Sequence, residues 1–167
     1  MEQSAEKQKF PYTWVLWFFD PRNKSWALEN YKKVADIQTP QQLWSVLRDI
    51  PKEAWQNNYF FFMRHGFRPI WEVPENQNGG SWSKKVSNEN IQEIAEELIV
   101  HSVTSHLVST RPETLVGFST SPKGEFNVVK IWNTTTTLNN KALLDATMTH
   151  FKIGDDVTYT PHRARGY

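Results

Sequence analysis

The run Tyr12 to Phe19, Tyr-Thr-Trp-Val-Leu-Trp-Phe-Phe, constrains the fold more than any other segment of the chain. Side chains alternate across a strand, so a run that is apolar at successive positions is what a strand covered on both faces requires. Aromatic residues favour that pleated setting. The run therefore predicts an interior strand of a sheet with apolar cover on both sides. The remaining elements are read around it. Tyr31–Ile37, Tyr59–Arg64, Ser81–Val86 and Val157–Thr160 read as further strands. Thr114–Thr120 and Phe126–Trp132 form a hairpin about Ser121-Pro122-Lys123-Gly124. Thr39 before Pro40 is a helix start, with Leu43, Val46, Leu47 and Ile50 on one face and Pro51 as the stop. Asn90 with Glu93 resembles a capping box; Ile91, Ile94, Ala95 and Leu98 follow as a buried face, with Glu93, Glu96 and Glu97 toward water. Leu144, Met148 and Phe151 predict a third helix ending near Gly154.

Hairpin-like pairs outnumber any parallel arrangement in this order. The expected class is α+β, a single domain with an antiparallel sheet and its helices on one face. Residues 1–9 read as a disordered tail and 10–167 as the domain. A length of 167 residues suits one domain with its own core.

Several chemistries are absent. There is no cysteine, so disulfides and thiolate metal sites are excluded. His101 and His106 are five residues apart, the wrong spacing for a shared helical metal face. No phosphate-binding glycine loop and no nucleophile elbow occurs. The adjacent pair Glu96-Glu97 reads as a solvated face. Nothing nominates a nucleophile with its base, so the chain reads as a non-enzyme that needs no cofactor. The N-terminus lacks the apolar core of a secretory signal and no run approaches a membrane span, which places the expected site of action in the cytoplasm without a membrane. A net charge of +1 argues against a polybasic nucleic-acid surface.

What stands out is eight tryptophans in a 14% aromatic chain. Several must pack the core, and Trp14, Trp17, Trp82 and Trp132 read that way; no role is legible for Trp55. Trp26 and Trp71 differ, because both lie in polar, loop-like stretches, and Glu72 follows Trp71. Trp44 falls at the edge of its helix face.

These residues carry a resemblance. Trp14 to Phe19, Lys24-Ser25-Trp26, Leu43-Trp44, Gly66-Phe67-Arg68-Pro69-Ile70-Trp71-Glu72, Gly79-Gly80-Ser81-Trp82 and Lys130-Ile131-Trp132 occur in the order and near the spacing of the cap-binding translation initiation factor 4E family. The sequence resembles that family over roughly residues 11 to 160. The resemblance implies a curved antiparallel sheet with three helices on its convex back and a ligand slot on the concave face. It implies that Trp26 and Trp71 hold 7-methylguanosine between them, with Glu72 reading the base edge. It also implies that Trp44 receives a helical peptide from a scaffold subunit or a repressor, near Pro40 and Ala95. The partners so implied are capped messenger RNA and that scaffold or repressor.

The chemistry suits the residue types. Methylation at N7 makes guanine a cation, which two indole faces favour over a neutral ring by about 2 kcal/mol. Stacking adds roughly 1–3 kcal/mol per base, and charged hydrogen bonds to a carboxylate roughly 1.5–3 kcal/mol each. The sequence departs from the family on the phosphate side, where serines, Ser81 and Ser121, occupy two usual arginine positions, and it stops at Tyr167 before the family's C-terminal lysine. Replacement cations are Lys123, Lys84, Lys85, Lys130, Arg163 and Arg165. Ile94-Ala95 replaces a usual tryptophan-leucine pair on the back. An initiation factor, a repressor or storage isoform of the same fold, and an interaction module with weakened cap binding all fit these residues.

Overall fold

The computed structural model describes residues 8–164. Seven strands form one sheet: β1 (Trp14–Phe19), β2 (Lys32–Ile37), β3 (Tyr59–Arg64), β4 (Gly80–Ser87), β5 (Leu115–Pro122), β6 (Phe126–Asn133) and β7 (Thr158–Pro161). The order is β2-β1-β3-β5-β6-β4-β7, with every pairing antiparallel. Register shifts at Leu16/Trp17 and near Gly117 mark bulges, which bend a sheet locally. Gly117 is obligatory: φ is +150° and a Cβ there would lie 1.9 Å from the Phe62 carbonyl oxygen. The result is the curved α+β sheet expected, with three α-helices: α1 (Pro40–Leu47), α2 (Lys52–Asn57) and α3 (Ile91–Val103).

Strand alternation sorts β1 as its sequence predicts. Trp14 and Leu16 face the helices, where Leu43, Leu47, Trp55, Ile91, Ala95 and Leu98 close the main core. Phe19 turns the other way, with Trp17 packed beside it, into a second aromatic cluster with Tyr31, Phe61, Met63, Val116 and Trp132. The sheet is thus apolar on both faces, and among the described residues only one face carries α-helices.

α1 begins as read. Thr39 accepts from the Gln42 amide, the Gln42 side chain accepts from the Thr39 amide, and Pro40 sits in the first turn. It stops at Leu47, before Ile50, and Pro51 instead caps α2. That short helix went unread, and it accounts for Trp55, fully buried against Phe60 with ring centres 4.4 Å apart. The Asn90 capping box does not form: the Asn90 side chain makes no cap hydrogen bond.

The third helix expected over Leu144–Phe151 is also absent. The chain there is irregular after a 3-10 turn at Lys141–Leu143, yet Leu144, Met148 and Phe151 are all buried. Glu97 supplies the reason. Its carboxylate accepts from the amides of Thr149, His150 and Phe151 and from the Thr149 hydroxyl, at 2.7–3.0 Å. Those amides need no helical carbonyls, and Glu97 is a structural anchor, not a solvated face. Burial alone would raise its pKa, but these hydrogen bonds outweigh it and lower it. No helix among the described residues is long and apolar enough to cross a membrane.

Candidate functional site

Two loops rise over the helix-free face. The first follows β1. Asp20 accepts from the Arg22 amide and pairs with its guanidinium, and the Asn30 side chain donates to the Ser25 carbonyl, so the loop folds back on itself. It carries Trp26, which is 53% exposed. One indole face of Trp26 lies parallel to the buried Phe19 ring, 4.3 Å between centres and 7° between planes, and Tyr59 meets it edge-on at 5.0 Å. A ring backed on one face in this way presents the other.

The second loop joins β3 to β4 and carries Trp71-Glu72. Arg68 forks onto Glu75 through two hydrogen bonds of 2.7 and 2.9 Å. Those bonds hold the Glu75 carboxyl down at about 2. Asn76, fully buried, donates from Nδ2 to the Arg68 and Ile70 carbonyls. Gln77 donates to the Glu72 carbonyl.

Between the loops lies a cavity of about 340 Å³. Trp26, Trp71 and Glu72, the three residues singled out for base recognition, all line it, and so do Lys123 and Lys130. Its floor is the second aromatic cluster. Trp132, read from sequence as packing only, is buried and also lines the cavity, with its indole N–H donating to Ser119 Oγ at 3.1 Å. Tyr31, Tyr59, Phe61, Ser119 and His162 line it as well and were not singled out from the sequence. The alternation of β1 and β3 carried a signal for them: Trp17 and Phe19, and Tyr59 and Phe61, are the apolar positions opposite the helix-facing ones. Burial, with smaller contributions from the Glu72 carboxylate and Tyr59, pushes the Tyr31 hydroxyl far above its ordinary value, so it stays a neutral phenol.

The remaining cations separate. Ser81 and Ser121 line the cavity where the resemblance anticipated arginines. Lys130 lies on β6 between Ser119 and Ser83 of the neighbouring strands, and Lys123 is at the exposed hairpin tip beside Gly124, whose φ is +86°. Lys85 shares a strand face with Ser81 but lies over the Phe126 ring, 4.3 Å from its centre, outside the cavity. Lys84 does not belong to this face. Strand alternation sends it to the helical side, where its ammonium hydrogen-bonds the Lys152 carbonyl and sits 5.3 Å from the Phe151 ring centre. Arg163 lines a second cavity of about 350 Å³ that shares Trp71, Glu72 and His162 with the first. Arg165 lies outside the described residues.

On the back, Trp44 projects from α1 with 54% of its surface exposed, and Pro40 beside it is half-buried. Ala95 is fully buried in the core, so it offers nothing to a docking partner. The α3 positions 94 and 95 both face inward, because the helix packs on the sheet through Ile91, Ile94, Ala95 and Leu98.

Comparison with known proteins agrees with this fold. The chain is 26% identical over 148 residues to eukaryotic translation initiation factor 4E-2 of Schizosaccharomyces pombe, covering 84% of this chain and 59% of that protein. It therefore spans about three fifths of that relative's length. Its fold matches Caenorhabditis elegans eIF4E-3 in complex with the 4E-binding protein Mextli, with a TM-score of 0.80 over 94% of each chain at 19% identity. It also matches Ascaris suum eIF4E-3 in complex with the m2,2,7G cap, with a TM-score of 0.70 over 78% of this chain and 76% of that one at 20% identity. Residues 9–165 match the family described as Eukaryotic initiation factor 4E. The chain belongs to the eukaryotic initiation factor 4E family.

Proposed function

We propose that this chain reads the 5′ cap of messenger RNA, holding 7-methylguanosine between Trp26 and Trp71 while Glu72 accepts hydrogen bonds from guanine N1–H and the exocyclic amine. The observation that carries this reading is the gathering of Trp26, Trp71 and Glu72 around one cavity, although the two tryptophans are 45 positions apart in the chain. The methylated base is a cation, and indole faces attract cations by about 2 kcal/mol when desolvated. After the cost of association, stacking, cation–π attraction and the carboxylate leave about 8 kcal/mol, near micromolar affinity. The triphosphate runs toward Lys130 and Lys123, which take over where Ser81 and Ser121 supply no charge.

The same reading has Trp44 receive a helical peptide from a scaffold subunit or a repressor. Its exposure on α1 supports this. The buried Ala95 favours a partner that docks mainly on Trp44 and α1, with little help from α3. Elution from immobilised 7-methyl-GTP tests the cap reading. Release by the methylated nucleotide and not by GTP is the expected result. Failure to bind, or equal release by both, would overturn it.

A further inference from the structure

The two walls of the slot are built differently. Trp26 is held by stacking on Phe19 and by an edge-on contact with Tyr59. Trp71 sits on a loop whose backbone is pinned by hydrogen bonds, and the last of them comes from outside the loop. His162 follows β7 directly and is 2% exposed. Its amide donates to the Gly79 carbonyl at 2.9 Å, and its Nδ1 lies 2.8 Å from the Asn76 carbonyl oxygen. A carbonyl only accepts, so Nδ1 carries the hydrogen and donates. Asn76 in turn holds the Arg68 carbonyl and that of Ile70, the residue immediately before Trp71. The imidazole also lies near two indoles that line the cavity, 5.0 Å from the Trp132 centre and 6.5 Å from that of Trp71. One side chain thus bridges the edge strand β7, the sheet floor and the recognition loop.

We propose that His162 is a positioning residue for the slot: through Asn76 it latches the Trp71–Glu72 loop to β7 and holds Trp71 in its ligand-ready attitude before any ligand arrives. The latch is a property of the free protein. Its consequence for cap affinity rests on the reading given above. Pre-ordering a binding wall spares the complex the cost of ordering it. Because His162 acts through Trp71, its contribution to affinity vanishes when Trp71 is gone.

Two measurements test this. In the ligand-free protein, amide hydrogen exchange at Trp71 and Glu72 accelerates at least about tenfold in His162→Ala. It stays near the wild-type rate in His162→Asn, whose amide donates from nearly the same place, and rises in His162→Phe, which keeps a ring but no donor. In titrations with 7-methyl-GTP, His162→Ala costs about tenfold in the wild-type and Trp26→Ala backgrounds. It costs less than about twofold in the Trp71→Ala background. A general loss of folding would lower affinity equally in all three. Unchanged exchange in His162→Ala, or equal exchange in His162→Asn and His162→Phe, overturns the latch; the Asn and Phe pair decides the matter if the alanine variant does not fold. An equal affinity loss with and without Trp71 overturns the positioning role. If the wild type does not bind 7-methyl-GTP, the cap reading falls and the exchange comparison still decides the latch.

Discussion

Removing Trp26 separates recognition from folding, and both costs follow from its surroundings. On the ligand side, Trp26→Ala deletes one of two stacking walls, worth roughly 1–3 kcal/mol. It also deletes about half of a cation–π term of about 2 kcal/mol. The loss of roughly 2–4 kcal/mol corresponds to a roughly 30- to 900-fold rise in Kd for 7-methyl-GTP. GTP lacks the cationic ring, so it loses the stacking but not the cation–π share. The preference for the methylated nucleotide therefore narrows by about fivefold. On the folding side, Trp26 is 53% exposed. It covers roughly 120 Å² of the roughly 250 Å² an indole can bury, a ceiling of about 3 kcal/mol. A domain of ordinary stability survives that. Calorimetric titration of wild type, Trp26→Ala and Trp26→Phe with both nucleotides, well below each variant's Tm, measures the first effect; thermal melts measure the second. Trp26→Phe keeps a face to stack on Phe19 and falls between the other two. A Trp26→Ala protein that binds 7-methyl-GTP within twofold of wild type, or loses the same factor for both nucleotides, would refute the sandwich.

Other outcomes follow from the same geometry. Glu72→Gln keeps shape but turns one acceptor into a donor, so affinity for 7-methyl-GTP falls at least about tenfold and preference over GTP narrows; unchanged discrimination in titration would assign base reading elsewhere. Lys130→Ala removes a cation from the cavity and flattens the rise in affinity from 7-methyl-GMP to 7-methyl-GTP, an effect that shrinks at high salt; a rise that survives both Lys130→Ala and Lys123→Ala would place the phosphates elsewhere, toward Arg163. Trp44→Ala abolishes capture of a scaffold or repressor peptide, leaves cap affinity unchanged and, since Trp44 is as exposed as Trp26, lowers stability by no more than the same ceiling of about 3 kcal/mol; unfolding of the variant would mark Trp44 as packing. The Arg68–Glu75 fork lowers the Glu75 pKa from 4.5 to about 2, so its stabilisation is complete above the unfolded value and is lost as pH falls from about 4.5 toward about 2. The stability difference between wild type and Glu75→Gln should hold constant at higher pH and close only in that window; closure by pH 5 would contradict the fork.

The sequence by itself determined the elements whose signal is local. The double-faced run of β1, the hairpin of β5 and β6 about Gly124, and the Thr39-Pro40 start of α1 all needed only neighbours within a few residues, and all stand where they were read. The family pattern pointed to Trp26, Trp71 and Glu72 together, and these three residues line one cavity. Tertiary structure decided whatever depends on which residue lies across a gap. Leu144, Met148 and Phe151 have helical spacing but no helix, because Glu97, from another element, meets the amides a helix would have used. Lys84 and Lys85 are equivalent as charges in the sequence, yet strand alternation puts them on opposite faces, and only the pairing of β4 with β6 says which face holds the slot. Ala95 became core, and Trp55 acquired a role, only once α3 and the short α2 had packed on the sheet. Spacing along a chain sets the side of an element a residue occupies; what that side faces is settled by long-range packing.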